Sequence, residues 1–306
     1  MPTLETYAAA AGPLNGKAGG AGCIFSVDVE DWFHILDLPG ESDEASWERL
    51  PSRVEDNFLR LLDLLDGRQV RATCFFLGWV ARRHPGLVRE AARRGHEVAS
   101  HGYAHRLVYR MTEREFLADV LRAKRLLEDI AGREVAGFRC AGFSVTPATP
   151  WFFERLAEGG HRYDSSVFPA RRAHGGMPQA PLAPYRVQTA AGELLEFPIS
   201  VVEGLGLRLC LFGGGYLRLF PLWLVSAMAR RVMRQGRPVV FYIHPRDMDP
   251  GQPRLTMPAH RRFRSYVGLR GAEAKLDALL AAFRPTSFEN YLAAQELAPP
   301  SYTYAR

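Results

Sequence analysis

The sequence predicts an α/β fold, a distorted and incomplete TIM-like (β/α) barrel built as a single domain. Three observations carry that prediction. Short apolar runs rich in β-branched and aromatic residues alternate with amphipathic helical stretches, the order expected of a parallel sheet with crossover helices. The number of such units exceeds what a small open sheet needs. A chain of 306 residues with 47% hydrophobic and 24% charged content can bury one large core and is too apolar for wholesale disorder.

Each element has a local reason. Residues 1–22, rich in Ala and Gly, read as a flexible leader ahead of a catalytic body over 23–290. The apolar run Cys23–Val27, bounded by glycine before and carboxylates after, predicts a buried strand. The pattern Ser52-Arg-Val-Glu55 predicts a capping box, opening a helix whose Val54, Phe58, Leu61, Leu62 and Leu65 share a face and which ends at Gly67. Val70–Leu77 returns to strand character, a helix follows over Pro85–Arg94, and Glu97–Ser100 forms a brief strand. A second capping box, Thr112 to Glu115, opens a helix that runs to Ala131 before Gly132. The stretch Glu134–Phe138 is the next strand, a helix spans about Pro150–Glu158, and Leu194–Ile199 has strand character. A helix over about Leu222–Arg234, a strand within Pro238–His244 and a helix within Leu269–Phe283 follow, and residues 291–306 read as a frayed tail.

The formal charge of +6 is dispersed in small clusters such as Arg82-Arg83, Arg93-Arg94, Arg171-Arg172 and Arg261-Arg262-Arg264. These read as solvated helix faces, and with no nucleic-acid motif beside them nucleic acid is not an expected partner. A secondary reading of the positive field is attraction to an anionic polymer, a lipid diphosphate or an acidic membrane surface. The four cysteines, Cys23, Cys74, Cys140 and Cys210, show no CxxC spacing and are expected to be buried and reduced. The leader lacks the basic and apolar regions of a signal peptide. The most apolar stretch, Tyr216–Ala229, is short and broken by Arg218 and Pro221. A cytoplasmic location is therefore expected, with the inner face of the membrane as a further option: Tyr216–Arg234 reads first as a core helix and second as a peripheral membrane contact, with Arg230, Arg231 and Arg234 toward headgroups.

In a parallel α/β architecture the loops at the carboxyl ends of the strands converge on one face. Ionisable residues occupy those ends here: Asp28, Glu30 and Asp31 after the first strand, His101 and His105 after Glu97–Ser100, then Arg139, Asp164 and His244. Taken singly, each has an ordinary explanation as a helix cap, a surface cation, an Asx-turn or a hydrogen-bonded histidine. Taken together, a carboxylate and two imidazoles form a mixed N/O ligand set for Zn²⁺ or a similar divalent ion, Co²⁺ included. Hydrolysis assisted by such an ion also needs a base and an acid, roles suited to Asp28 and His244.

At this point the residues resemble the polysaccharide deacetylases of carbohydrate esterase family 4, the NodB homology domain. The motifs FSVDVEDWFH, SHGYAH, FRCAGFS, YDSS and FYIHP occur in order between Ile24 and Pro250. The wording DVEDWFH, YDSSVFP, GGGYLRLFP and HPRDMDPGQPR further resembles a subgroup associated with exosortase-type exopolysaccharide loci. The resemblance implies a NodB-type deacetylase barrel with Asp28 as general base, His101 and His105 as metal ligands, Arg139 orienting Asp28, and His244 as general acid. It implies a metal-bound carboxylate from the first motif as well. Because Val29 follows Asp28, that ligand is Glu30 or Asp31: Glu30 is favoured, since an extended backbone returns it to the same side as Asp28, while a turn after the strand would favour Asp31.

The implied reaction is removal of N-acetyl groups from hexosamines of a polysaccharide or lipid-linked oligosaccharide. A backbone N–H near Tyr103 or in the arginine loop would help hold the oxyanion, and Asp164 would hydrogen-bond His244 and raise its pKa. Trp32, Tyr103 and Phe143 are the expected substrate-contacting residues, with Trp151 as a further aromatic. Ala141 and Arg246 depart from the family pattern, which bears on the groove rather than the chemistry. His34, His84, His96, His161, His174 and His260 receive no ligand assignment, and Gly213–Tyr216 reads as a turn rather than a phosphate loop. Two further readings are a hydrolase of a small non-sugar amide or imide, and a non-catalytic carbohydrate-binding descendant. Intact Asp28, His101, His105 and His244 speak against the last.

Overall fold

A computed structural model of the chain describes residues 22–36, 44–172, 175–204, 206–294 and 299–303. Residues 1–21 of the expected leader, and His174, lie outside the described residues.

Strand β1 (Cys23–Val29) is buried at every position, as a strand covered on both faces must be, and so reads as a continuous apolar run rather than an alternating one. Helices α1 (Glu44–Trp47) and α2 (Val54–Gly67) lead to β2 (Thr73–Phe76), and α3 (Gly78–Arg83) and α4 (Pro85–Arg93) lead to β3 (Glu97–Ser100). The long α5 (Glu113–Ala131) precedes the two-residue β4 (Gly137–Phe138), and α6 (Phe152–Glu158) precedes β5 (Tyr163–Asp164). A hairpin of β6 (Tyr185–Thr189) and β7 (Gly192–Glu196) follows, then a second of β8 (Val202–Gly204) and β9 (Leu207–Leu209). Helices α7 (Gly214–Leu219) and α8 (Leu222–Arg234) lead to β10 (Val239–Ile243). Helices α9 (Ala259–Tyr266), α10 (Ala272–Phe283) and α11 (Phe288–Ala294) and strand β11 (Ser301–Thr303) complete the chain.

The main sheet has the order β10-β1-β2-β3-β4-β5-β7-β6-β11. Its ladders are parallel except β6 against β7. Its two edges do not pair with each other among the described residues, which leaves the expected barrel incomplete. Beside β10 the edge is met instead by two other segments, one between the hairpins and one just before α7: Val240 N donates to Ser200 Oγ (2.9 Å) and Tyr242 N to Phe212 O (3.1 Å).

The apolar face expected of α2 is the one that packs, with Val54, Phe58, Leu61, Leu62 and Leu65 all buried in the largest core cluster. Phe58 stands edge-on to Phe76 at 5.4 Å between ring centroids. Phe58→Ala is expected to cost about 3–5 kcal/mol, the usual range for deleting a buried aromatic side chain, seen as a lower midpoint in chemical denaturation. The capping box of α5 is present, and Gly132 ends that helix with φ 67°, a left-handed position that glycine adopts without strain.

Three local expectations are corrected. No capping box forms at Ser52: Arg53 occupies the N-cap of α2, and Asp31 accepts from Arg53 N (3.1 Å) and from Ser52 Oγ (2.5 Å). Gly213–Tyr216 is not a simple turn, since Gly214 begins α7. Part of the supposedly frayed tail is ordered, with Ser301–Thr303 pairing in parallel with β6. These residues carry no periodic apolar pattern long enough to announce a strand.

Candidate metal and acid–base centre

The carboxyl ends of β1, β3, β4 and β10 deliver the site. Glu30 directly follows β1, and its Oε1 lies 2.9 Å from His101 Nε2 and 3.0 Å from His105 Nε2. All three residues are buried, at 5%, 2% and 8% exposure, and they form the group of potential metal ligands found among the described residues. The loop that spaces the histidines is tight, with Gly102 at φ 71° and His105 at φ 51°.

The hydrogen bonding tests whether these donors suit a cation. His101 Nδ1 is 2.8 Å from the carbonyl of Arg139. A carbonyl can only accept, so Nδ1 carries a proton and a neutral His101 turns the bare lone pair of Nε2 toward a carboxylate oxygen. Two acceptors at 2.9 Å require a proton or a cation between them, and the orientation of a ligating imidazole by an outer carbonyl is the usual arrangement at metal centres. Without a cation, burial works against ionising either group, yet His105 and His244, with the hydrogen bond to His101, keep Glu30 well below the ordinary carboxylate range, and the Glu30 contact raises His101. The donor set therefore fits a divalent ion.

Asp31, the alternative ligand, is turned away. Besides Ser52 Oγ and Arg53 N it accepts from Trp32 N (2.9 Å), so its oxygens satisfy the N-terminus of α2. Burial, partly offset by those bonds, raises its pKa.

Asp28 is held by an arginine. Arg139 is fully buried and donates from Nη1 to Asp28 Oδ1 (2.7 Å) and Ser26 Oγ (2.8 Å), and from Nε to Ser165 O (3.1 Å). Its guanidinium also lies over the ring of Phe75 at 4.2 Å. This fork leaves Asp28 Oδ2 facing His244, whose Nε2 is 3.9 Å from that oxygen and 3.8 Å from Glu30 Oε1. The His244 side chain is 22% exposed, so the candidate acid is reachable while the base and ligands lie beneath it.

Asp164 does not support His244. It accepts from Ser166 Oγ (2.5 Å) and lies opposite Glu196 in the β5–β7 ladder, where both carboxyls are fully buried and burial raises both pKa values. Such a pair is relieved by sharing a proton. The carboxylate on His244 is Asp247, three residues along: Oδ2 accepts from His244 N (2.9 Å) and lies 3.4 Å from Nδ1. Arg218 of α7 donates from Nε to the other oxygen at 3.0 Å. Burial opposes the imidazolium, but Glu30 and Asp247 outweigh it and raise the His244 pKa. Sequence reasoning missed Asp247, Arg218 and Glu196. The signal for Asp247 was available as His-Pro-x-Asp, a pattern in which the carboxylate reaches back to the N-cap residue.

The expected aromatic contacts are corrected too. Trp32, Tyr103 and Phe143 are 3%, 1% and 6% exposed and present no open ring face to a sugar. Trp32 Nε1 donates to Pro51 O (3.0 Å), Arg122 lies 3.3 Å over the Tyr103 ring, and Phe143 packs edge-on to Tyr242 at 5.0 Å. They support the site from behind. Tyr103 N cannot serve an oxyanion, since it donates to Asp119 Oδ2 at 2.7 Å.

Comparison with known proteins agrees with this geometry. Residues 45–156 match the polysaccharide deacetylase family, and residues 165–293 match a domain of unknown function, DUF3473. A peptidoglycan-N-acetylglucosamine deacetylase of Bacillus cereus is 32% identical over 73 residues, covering 24% of this chain and 26% of that protein. The enzyme of that name from Listeria monocytogenes, PgdA, is 32% identical over 72 residues, 24% of this chain and 16% of its own length. The chain thus spans about a quarter or less of these relatives. Among solved structures, a Mycobacterium smegmatis protein classed with the polysaccharide deacetylases superposes with a TM-score of 0.64 at 24% identity, over 97% of this chain and 98% of its own. PuuE allantoinase does so with 0.56 at 18%, over 100% and 94%. These two likenesses concern the fold. With the family match over residues 45–156, the ordered motifs and the convergence of Glu30, His101, His105, Asp28 and His244 in one place, the chain carries a polysaccharide deacetylase domain of carbohydrate esterase family 4, with its NodB-type fold.

Proposed function

We propose that this chain is a divalent-metal-dependent hydrolase, with Zn²⁺ the best-suited ion, that removes N-acetyl groups from hexosamine residues of a polysaccharide or lipid-linked oligosaccharide in exopolysaccharide biosynthesis. The observation that carries the reading is the convergence of Glu30, His101 and His105 beside an Arg139-held Asp28 and an Asp247-held His244. The names of the curated relatives support the amide of an N-acetylated sugar as the bond attacked, and the DUF3473 match supports the exopolysaccharide subgroup. Four free, buried cysteines support the cytoplasmic location expected from the sequence.

A divalent ion bound by the three ligands would polarise the amide carbonyl and acidify a water. Asp28 takes the proton of the attacking water, and Arg139 keeps its other oxygen occupied so that Oδ2 faces the reaction. His244 gives its Nε2 proton to the departing amine, and Asp247 keeps that proton available near neutral pH. Acetate and a free amino sugar leave. The test is acetate release from N-acetylglucosamine oligomers by the protein as purified, after chelation, and after readdition of Zn²⁺ or Co²⁺. Release that disappears on chelation and returns with metal is expected; release indifferent to chelation would sink the metal-dependent reading, and metal binding without release would favour a small amide or imide substrate.

The acid has its own signature. Activity should decline on the alkaline side as His244 loses its proton, and removing the Asp247 charge lowers that pKa. Asp247→Asn is therefore expected to move the alkaline limb of kcat/KM to lower pH, and an unmoved limb would separate Asp247 from the acid. The same change leaves Arg218 buried opposite a neutral partner, so a loss of stability of up to about 3–5 kcal/mol accompanies it.

A further inference from the structure

Five large apolar side chains are the exposed ones among the described residues, and all fall within 207–263: Leu207, Leu209, Leu219, Trp223 and Phe263. Trp223 is 71% and Phe263 57% exposed. The stretch 207–264 also contains eleven arginines against two carboxylates, Asp247 and Asp249, whereas the rest of the chain carries 28 cations and 31 carboxylates. Both aspartates are buried and paired, with Arg218 and with Arg53. The chain's excess positive charge is thus concentrated where its exposed apolar side chains are; Arg218 and Arg237 are buried and Arg208 pairs with the exposed Glu203 of β8, and the other arginines of the stretch set the charge of the surface.

The helices gather these groups. On α8 the buried stripe is Val225, Ser226, Ala229 and Val232. Trp223, Arg230 and Arg234, seven and eleven residues apart, recur on the opposite stripe and are exposed. On α9, Arg262, Phe263 and Arg264 are exposed. The intervening α7 ties the two together: it ends at Leu219 just before α8, and its Arg218 donates to Val267 O (2.7 Å) and Arg264 O (3.3 Å). The β8–β9 hairpin, with Leu207 and Leu209 exposed, is tied to α8 by a bond from Arg231 Nη2 to Glu203 O (3.2 Å).

From this we infer that the face formed by α7, α8 and α9 docks on an anionic phospholipid surface, with Trp223 and Phe263 entering the boundary between headgroups and acyl chains and the arginines meeting lipid phosphates. Indole and phenyl side chains beside a cluster of exposed arginines suit that boundary. A hydrated polyanion would explain the arginines but would gain nothing from exposed leucines, and a second copy of so basic a face would repel the first. The inference does not depend on the proposed reaction. It does give the face a consequence for the site, because Arg218 beneath it pairs with the Asp247 that holds His244.

The experiment is co-sedimentation of the full chain with phosphatidylcholine vesicles, with and without phosphatidylglycerol, over a range of salt. Salt-sensitive binding to the anionic vesicles alone is expected. Trp223→Ala with Phe263→Ala should abolish it, and Arg230→Gln and Arg234→Gln should each weaken partitioning about fivefold, the effect of about 1 kcal/mol per juxtamembrane cation. All four residues are exposed, and circular dichroism checks that the variants stay folded. Failure to bind anionic vesicles at low salt, or binding untouched by loss of the two aromatics, overturns the proposal. Capture by a soluble anionic polysaccharide without vesicle binding overturns it as well and assigns the arginines to a glycan.

Discussion

His101→Ala is expected to remove both bound metal and turnover. The imidazole supplies one of three converging donors, and its orientation is set by the Arg139 carbonyl on the far nitrogen. Loss of an outer hydrogen-bond partner alone weakens metal binding roughly 10–100-fold at comparable centres, so deleting a donor should cost more. The fold should survive, because Glu30 retains His105 as a partner and the truncated side chain lies at a strand end rather than in the main apolar core. Metal content measured beside acetate release gives the answer. Stoichiometric metal with full activity in the variant would remove His101 from the ligand set.

The second large effect separates the base from the ligands. Asp28→Asn should lower turnover by about 10²–10⁴, the range for losing a positioned general base, while metal content stays at the wild-type level. An amide oxygen can still accept from Arg139, so the cost of leaving that guanidinium unpaired is softened. Asp28→Ala, which leaves the fully buried Arg139 without its carboxylate, should additionally destabilise the chain by about 3–5 kcal/mol. Full activity in the Asn variant would end the assignment of Asp28 as base. Loss of metal in it would instead make Asp28 part of the ligand set.

Asp28 and Arg139 were legible as residues of one rim because each ends or follows a strand of a parallel sheet, whereas their pairing was implied by the family resemblance. Glu30 was favoured over Asp31 only through the alternation of an extended strand. Both follow β1, and the choice was made by α2, whose N-terminal N–H groups and Ser52 claim Asp31 and leave Glu30 to the histidines. The same lack of tertiary information misassigned Asp164: its place at the end of β5 suggested the rim, but Glu196 arrives beside it on β7 from a hairpin whose first strand was not anticipated. Aromatics near strand ends were likewise ambiguous, because a large ring can face a groove or close the core behind it, and Trp32, Tyr103 and Phe143 do the latter.

The sequence by itself determined the alternation of strands and helices, the apolar face of α2, the two ends of α5, and the types of group carried to the rim, because periodicity, caps and strand ends are local properties. Tertiary structure decided which carboxylate meets which cation. Hydrogen-bond and charge partners are chosen by proximity across 71 residues for Glu30 with His101 and 111 for Arg139 with Asp28, distances over which local sequence carries no register. It also decided which stripe of α8, the helix that follows the break at Pro221, packs inward and which is left outside among arginines. A helix whose two faces both carry apolar residues is oriented by the surface available to pack against, and that surface exists only once the sheet has formed.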